Sequence, residues 1–351
     1  MSRFLNTQYQ TLSVYVPGEQ PQDMPYIKLN TNESPYPPSP QVLKAVGVAT
    51  LEDLRLYPDP TCAVLAEKLA TLYRVNPENI FLSNGSDDIL QFAFLSLCPC
   101  GAIFPDITYG FYPVFADLHS IPYTKIPLNE DFTLDISAYF GVEKTIFIAN
   151  PNAPTGLYLN VSQIEQIVQK NPDNVVVVDE AYIDFGGESC IPLIKQYDNL
   201  LVCATFSKSR SMAGARLGFA VANQALLEDL NKIKYATNPY AINRMTLTAG
   251  EAAVDSNAYF MGNCKKIIQT RAYTTKGLQT MGFQVLDSKA NFIFAKKEGI
   301  CGAYLYQKLK QEGILIRHFD KDRIAAYNRI TIGTMEQMEH FLFTVKKIIG
   351  R

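Results

Sequence analysis

Four consecutive valines, Val175 to Val178, run straight into Asp179 and Glu180. A segment that is β-branched at every position has no polar face to offer water, so it fits a strand covered on both sides. Such strands belong to parallel sheets with helices packed above and below. The same signature recurs in the short apolar runs Ile80–Ser83, Gly101–Phe104, Lys144–Ala149, Asn174–Asp179, Leu200–Thr205 and Leu217–Val221. Between them lie amphipathic stretches of helical length, such as Pro60–Tyr73 and Val161–Gln169. The predicted fold class is α/β, a mostly parallel central sheet flanked by helices. After a long helical region around 245–280, the runs Asn291–Ala295, Ile314–Arg317 and Arg329–Ile332 predict a second, smaller sheet.

A chain of 351 residues that is 47% hydrophobic supports more than one compact unit. The expected division is an N-terminal arm over 1–35, a large domain over 36–245 and a small α+β domain over 246–351. Proline punctuates the arm, at Pro17-Gly18 and again between Ser34 and Pro40, and argues against regular structure there. With 32 basic and 34 acidic residues, the charge balance gives no reason to expect a nucleic-acid partner. The start MSRFLNTQYQ lacks a charged region followed by an apolar core, and no apolar run approaches bilayer length, so neither export nor a membrane partner is expected. Seven scattered cysteines fit a reducing, cytoplasmic setting. The three histidines, His119, His318 and His340, are not spaced against other ligands, so no catalytic metal is expected.

Ligands of open α/β sheets bind beyond the carboxyl ends of the strands, which makes the residues just after each predicted strand the candidates for chemistry. Asp179 stands there, although a strand-terminal aspartate also caps turns. Lys208, in Thr205-Phe206-Ser207-Lys208, follows another strand, and Arg216 lies eight residues further on, suited to a phosphate. Alone, such a lysine is ordinarily a solvated surface charge. Asn84-Gly85-Ser86-Asp87 leads from a strand through glycine into a helix, where free N–H groups of Ser86 and Asp87 form an anion site. Strand-turn-helix junctions capped by Ser and Asp also occur without any ligand. Asn150-Pro151-Asn152-Ala153-Pro154-Thr155-Gly156 is a proline-stiffened loop that holds Asn152 either toward a ligand or within a purely structural turn.

Taken in order, these four elements resemble the fold-type I pyridoxal-phosphate (PLP) enzymes of the aspartate aminotransferase superfamily, over roughly residues 26–335. Within it the chain is most similar to the histidinol-phosphate aminotransferase family. The resemblance is carried by Tyr15-Val16-Pro17-Gly18, Leu29-Asn30-Thr31-Asn32-Glu33-Ser34-Pro35, Leu56-Tyr57-Pro58-Asp59, Tyr109-Gly110-Phe111-Tyr112, Ala290-Asn291-Phe292 and Arg329-Ile330-Thr331-Ile332-Gly333.

The resemblance implies PLP as cofactor, bonded through its aldehyde to Lys208, which also moves the substrate proton. It implies that Asp179 pairs with the protonated pyridine nitrogen, that Tyr182 hydrogen-bonds the ring hydroxyl, and that Tyr109 stacks on the ring. Gly85, Ser86, Asp87, Ser207 and Arg216 would hold the phosphate, with Tyr57 reaching the cofactor of a second copy in a homodimer with shared sites. Asn152 is carried over as a cofactor contact. The family often has asparagine directly before Pro-Thr-Gly, where this chain has Ala153. Arg329, with Arg317 and Asn30, would take the anionic end of an amino donor or a 2-oxo acid, since a guanidinium fork accepts phosphate and carboxylate alike. The implied reaction moves an amino group between L-histidinol phosphate and 2-oxoglutarate. Threonine-phosphate decarboxylases and aromatic aminotransferases share the scaffold and stay open as alternatives. A PLP-sensing regulator would need a DNA-binding module that residues 1–35 do not supply. A nicotinamide site would need a G-x-G-x-x-G after the first strand, which is absent.

Overall fold

A computed structural model describes residues 5, 9–47 and 52–350. Parts of the expected arm, residues 1–4 and 6–8, and the final residue 351 lie outside the described residues. In chain order the first elements are strand β1 (Ile27–Lys28) and helices α1 (Pro40–Ala45) and α2 (Ala63–Tyr73). The central sheet then begins with β2 (Ile80–Ser83), followed by α3 (Ser86–Leu97), β3 (Ala102–Pro105), α4 (Phe111–Leu118), β4 (Tyr123–Ile126) and β5 (Thr145–Ala149). It continues through α5 (Val161–Gln169), β6 (Val176–Asp179), β7 (Leu200–Thr205) and β8 (Gly218–Ala222).

These seven strands lie in the order β2-β8-β7-β6-β5-β3-β4. Only β8 runs against the others, pairing antiparallel with both β2 and β7. The carboxyl ends of β2, β5, β6 and β7 therefore share one edge, and because β8 is reversed its amino end joins them. Ser83 and Thr205 both register with Gly218, and Ala149 registers with Asp179. Val176 to Val178 are buried on both faces as their composition demands. Val176 and Val178 pack in one apolar layer with Leu65, Ile146 and Ile164, while Val177 packs in the opposite layer with Phe94, Phe147 and Leu201.

Helix α6 (Gln224–Thr237) leads to α7 (Arg244–Asp255) and α8 (Asn257–Thr280), which divide the expected helical region at Ser256. A four-stranded antiparallel sheet follows, in the order β12-β13-β10-β9, built from β9 (Gln284–Val285), β10 (Phe292–Lys296), β12 (Arg317–His318) and β13 (Asn328–Thr331). Helices α9 (Gly302–Gln311) and α10 (Met335–Ile349) share its core with α8, through Leu305, Phe341 and Ile267.

Three expectations need correction. The stretch 1–35 is not without regular structure, because β1 pairs in parallel with β11 (Ile314–Leu315). That pairing divides the single strand expected over Ile314–Arg317. Ile314 and Leu315 face the arm, and only Arg317 and His318 join the small sheet. Helix α2 starts at Ala63 rather than Pro60, because Cys62 takes a left-handed conformation (φ 54°) that a right-handed helix cannot continue through. The edge strand β4 escaped prediction because Tyr123–Ile126 is half exposed and carries Thr124 and Lys125 in place of an apolar run.

Candidate active site

Lys208 sits three residues beyond β7, where buried Ser207 presents its backbone N–H to the Thr205 hydroxyl at 3.0 Å. The Lys208 amine lies 3.4 Å from the Thr31 carbonyl and 5.9 Å from the centre of the Tyr182 ring. Burial brings its pKa down to about 8, and the nearby Arg329 guanidinium pushes in the same direction. A substantial fraction of such an amine is neutral near physiological pH, as a nucleophile or proton carrier requires.

Next to it, the first turn of α3 turns its free N–H groups toward the same edge. Gly85 precedes this turn at φ +88°, a conformation that favours glycine, and a Cβ there would stand 2.7 Å from Arg216 Nη2. Gly218 is required on the other side, where a Cβ would come within 2.4 Å of the Ser86 backbone nitrogen. Arg216, itself left-handed at φ 57°, donates to Asp87 Oδ2 at 2.9 Å. Tyr109 donates to the other Asp87 oxygen at 2.7 Å. Helix N-terminus and guanidinium together make a candidate anion cup at this corner of the sheet edge.

Asp179 closes the end of β6. It is 5% exposed, accepts from the Ala181 amide at 3.1 Å, and burial raises its pKa to about 7. The buried Tyr112 hydroxyl lies beside it, and burial together with the Asp179 carboxyl raises the Tyr112 pKa. A carboxyl group so placed is suited to a cationic ligand group that would pull its pKa back down. The neighbouring Glu180 is different. It accepts from the Ser189 hydroxyl and the Cys190 amide, and so ties down the loop that follows.

Tyr182 accepts a hydrogen bond from Asn32 Nδ2 at 2.9 Å, and its ring meets Phe292 edge-on. Arg329 donates to the Asn30 carbonyl at 3.1 Å and lies over the Phe292 and Phe319 rings, while its Nε has no partner among the described residues. Lys208, Asp179, Tyr182, Tyr109, Ser207, Arg216 and the Gly85–Asp87 turn therefore lie along one edge of the central sheet, with Arg329 brought to them from the small sheet.

Four expected residues sit differently from the simplest expectation. The Asn152 amide is fully engaged within its own surroundings, accepting from Thr108 and donating to the Ile107 carbonyl and to Thr155. Asn30 is buried and its side chain donates to the Glu19 carbonyl, so its backbone, through Arg329, is what reaches the site. Arg317 donates to the carbonyls of Val16 and Pro17 and thereby straps the arm down. Tyr57 is 78% exposed and stacks on Tyr240. At Ala153 the chain offers no polar group at all, and the methyl packs against Ala290, Phe292 and Tyr182.

Two site residues carried no role in the sequence reading. Tyr15 stacks on Phe111 at 4.1 Å and lies within electrostatic reach of Arg329, Arg317 and Tyr182. Asn32 is buried beside Tyr182. Both fall inside stretches that carried the family resemblance, which was the available signal.

Residues 24–345 match the family described as aminotransferase class I and II. The chain is 51% identical to the histidinol-phosphate aminotransferase of Brachyspira hyodysenteriae across 99% of both chains. It is 45% identical to that of Clostridium beijerinckii, across 100% of this chain and 98% of the relative. A crystal structure of histidinol-phosphate aminotransferase from Sinorhizobium meliloti in complex with pyridoxal-5'-phosphate superposes with a TM-score of 0.88 over 100% of this chain and 98% of that one. At 22% identity that likeness speaks for the fold. The chain belongs to the class I and II aminotransferases and, within them, to the histidinol-phosphate aminotransferase family.

Proposed function

We propose that this protein transfers the amino group of L-histidinol phosphate to 2-oxoglutarate, giving imidazole acetol phosphate and glutamate for histidine biosynthesis, with PLP held at Lys208. The observation that carries the reading is the placement of an amine of lowered pKa between an anion cup and a buried carboxyl, all on one sheet edge. These residues fit PLP at each end. Gly218 lets the first turn of α3 pack closely against β8 beside Arg216, and the buried Asp179 carboxyl suits a cationic ring nitrogen.

When bound, PLP supplies an electron-withdrawing ring that takes up the electron pair of a breaking Cα–H bond. Ser207, Arg216 and the N–H groups of Ser86 and Asp87 hold the phosphate, with Asp87 yielding its hold on the Arg216 fork. Asp179 keeps a proton on the pyridine nitrogen. Tyr182 would donate to the ring oxygen, and Tyr109 would cover the ring face. Lys208 would hold the cofactor through its amine and, with that amine free, would carry the proton of the substrate Cα. Arg329 binds the phosphate of one substrate and the carboxylate of the other, with Asn30 supporting it from behind and Arg317 holding the arm across the site.

The enzyme works as a cytoplasmic homodimer. The exposed Tyr57, with Leu54 and Leu56 beside it, supports that reading, since an apolar surface of this kind suits a second copy whose cofactor phosphate Tyr57 would contact. No helix among the described residues is long and apolar enough to cross a membrane. The division into an arm, a large domain over 36–245 and a small domain over 246–351 is supported by the two sheets, which use residues 80–222 and 284–331.

The test is spectroscopic. The protein is loaded with PLP, L-histidinol phosphate is added, and 2-oxoglutarate follows, with Lys208→Ala as control. Loss of the visible band on the first addition and its return on the second are expected. Carbon dioxide release from an amino-acid phosphate without need of a keto acid would replace the reading with decarboxylation.

A further inference from the structure

Asn32 belongs to a segment that touches both sheets. Its backbone N–H donates to the Thr331 hydroxyl at 3.0 Å, and that hydroxyl donates to Asn32 Oδ1 at 2.9 Å. The Asn32 carbonyl accepts from the Asn291 amide at 3.0 Å. Thr331 lies on β13 and Asn291 just before β10, so the small sheet holds Asn32 by three bonds. The backbone is left-handed at φ 55°, a conformation asparagine tolerates better than most residues. Thr331 has one proton to donate, and because Oδ1 receives it, the carboxamide is oriented with Nδ2 outward. Nδ2 then donates to the Tyr182 hydroxyl oxygen at 2.9 Å.

The direction of this last bond matters. A phenol that accepts from an amide keeps its own proton free to donate elsewhere. The charged groups around Tyr182 are Arg329, Lys208, Asp179 and Asp87, and among the described residues its hydroxyl hydrogen-bonds to none of them. We infer that Asn32 is a positioning residue: braced by Thr331, it fixes the Tyr182 hydroxyl as a donor toward the bound ligand and couples that bond to the seating of the small sheet.

The inference rests on the proposed PLP reading, in which the ligand atom is the ring oxygen. Ala153 gives it weight, because the loop after β5 brings only a methyl group toward Tyr182 and leaves Asn32 as the polar side chain that orients it. A donor held on an oxygen anion stabilises that anion, so weakening it raises the pH at which the bound cofactor's visible band changes.

The experiment uses the PLP-loaded enzyme and two readouts, the pH midpoint of the visible band and the fraction of PLP retained on dialysis. Asn32→Asp keeps the shape but replaces the amide donor with an acceptor that captures the Tyr182 proton. Its midpoint is expected to rise by about one pH unit, about 1.4 kcal/mol, with faster loss of PLP. Thr331→Val, which releases the carboxamide, is expected to shift the midpoint the same way by less. The new charge in Asn32→Asp could itself raise the midpoint, so the decisive comparison is made in a Tyr182→Phe background, where the inference expects the Asn32→Asp shift to disappear. An unchanged midpoint in Asn32→Asp, or a shift that persists undiminished in Tyr182→Phe, overturns the inference. If no visible band forms in the parent protein, or if it survives in Lys208→Ala, it is the PLP reading that fails instead.

Discussion

Arg216 donates to Asp87 across 2.9 Å, so the guanidinium best placed to receive a phosphate is engaged by a carboxylate on the first turn of α3. The pair is partly exposed, and exposed ion pairs are worth little. A doubly charged phosphate at the helix N-terminus would therefore displace Asp87 readily. Arg216→Ala is expected to weaken PLP binding about tenfold or more, the scale of a lost charge-assisted hydrogen bond. Arg216→Lys should recover only part of this, because an ammonium lacks the two-pronged geometry. Fluorescence titration of cofactor-free protein with PLP measures both.

The glycines of the cup should fail in different ways. At Gly85 an added Cβ meets the far end of the Arg216 side chain, which can move, although φ +88° itself disfavours alanine. At Gly218 it meets the backbone of Ser86 and Gly85, which cannot move without opening the β2-β8 pairing. Gly85→Ala is expected chiefly to weaken PLP binding. Gly218→Ala should lower the stability of the cofactor-free protein by about 1–3 kcal/mol, the usual cost of overpacking. Urea unfolding with and without PLP separates the two effects.

Residues that end a buried strand were legible in the sequence for a simple reason. A run such as Val175–Val178 announces a central parallel strand, and parallel strands deliver their following residues to one edge. Asp179, Lys208 and the Gly85–Asp87 turn were found this way. The direction of β8 was not legible, because an apolar run reads the same in either orientation. Nor was the link from Asn32 to Tyr182, which joins residues 150 apart through an amide oriented by Thr331, 299 positions away. Arg317 shows the remaining limit: its charge was plain, but its engagement with the Val16 and Pro17 carbonyls depends on where the arm lies.

The lowered pKa of Lys208 sets a pH dependence for PLP capture. Only the neutral amine attacks the aldehyde, so the capture rate should climb with pH and level off above about 8, not near 10.5. Arg329 contributes to that lowering, and Arg329→Met should move the plateau to higher pH. Stopped-flow absorbance on mixing cofactor-free protein with PLP across pH reads it directly. A plateau unmoved by Arg329→Met would leave the lowering to burial and Arg216.

Asp179 makes the opposite kind of demand on the empty protein. Its folded pKa, about 7, lies above the ordinary 3.8, so between these values the folded state holds a proton that the unfolded chain has lost. Cofactor-free protein should therefore lose stability as pH rises from about 4 to about 7, and Glu180, raised from 4.5 to about 7, adds to the same trend. Asp179→Asn removes its share and should flatten the fall measured by urea unfolding. In the loaded enzyme the same substitution should be harmful, because the pyridine nitrogen loses the carboxylate that keeps it protonated, and turnover should drop by orders of magnitude while PLP remains attached to Lys208.

Arg329 tests the shared anion site. Its guanidinium lies over Phe292 and Phe319 with one bond to the Asn30 carbonyl, which leaves Nε and the remaining N–H groups for an incoming anion. One fork serving a phosphate monoester in one half-reaction and a carboxylate in the other predicts parallel damage. Arg329→Ala should raise KM for L-histidinol phosphate and for 2-oxoglutarate together, each by about tenfold to a hundredfold, while PLP binding changes far less. Arg317→Ala, by releasing Val16 and Pro17, should act through the arm and raise both KM values more modestly. Loss confined to one substrate in Arg329→Ala would mean that the two anions are gripped in different places, and the arm, with Tyr15 stacked on Phe111, would be the next surface to mutate.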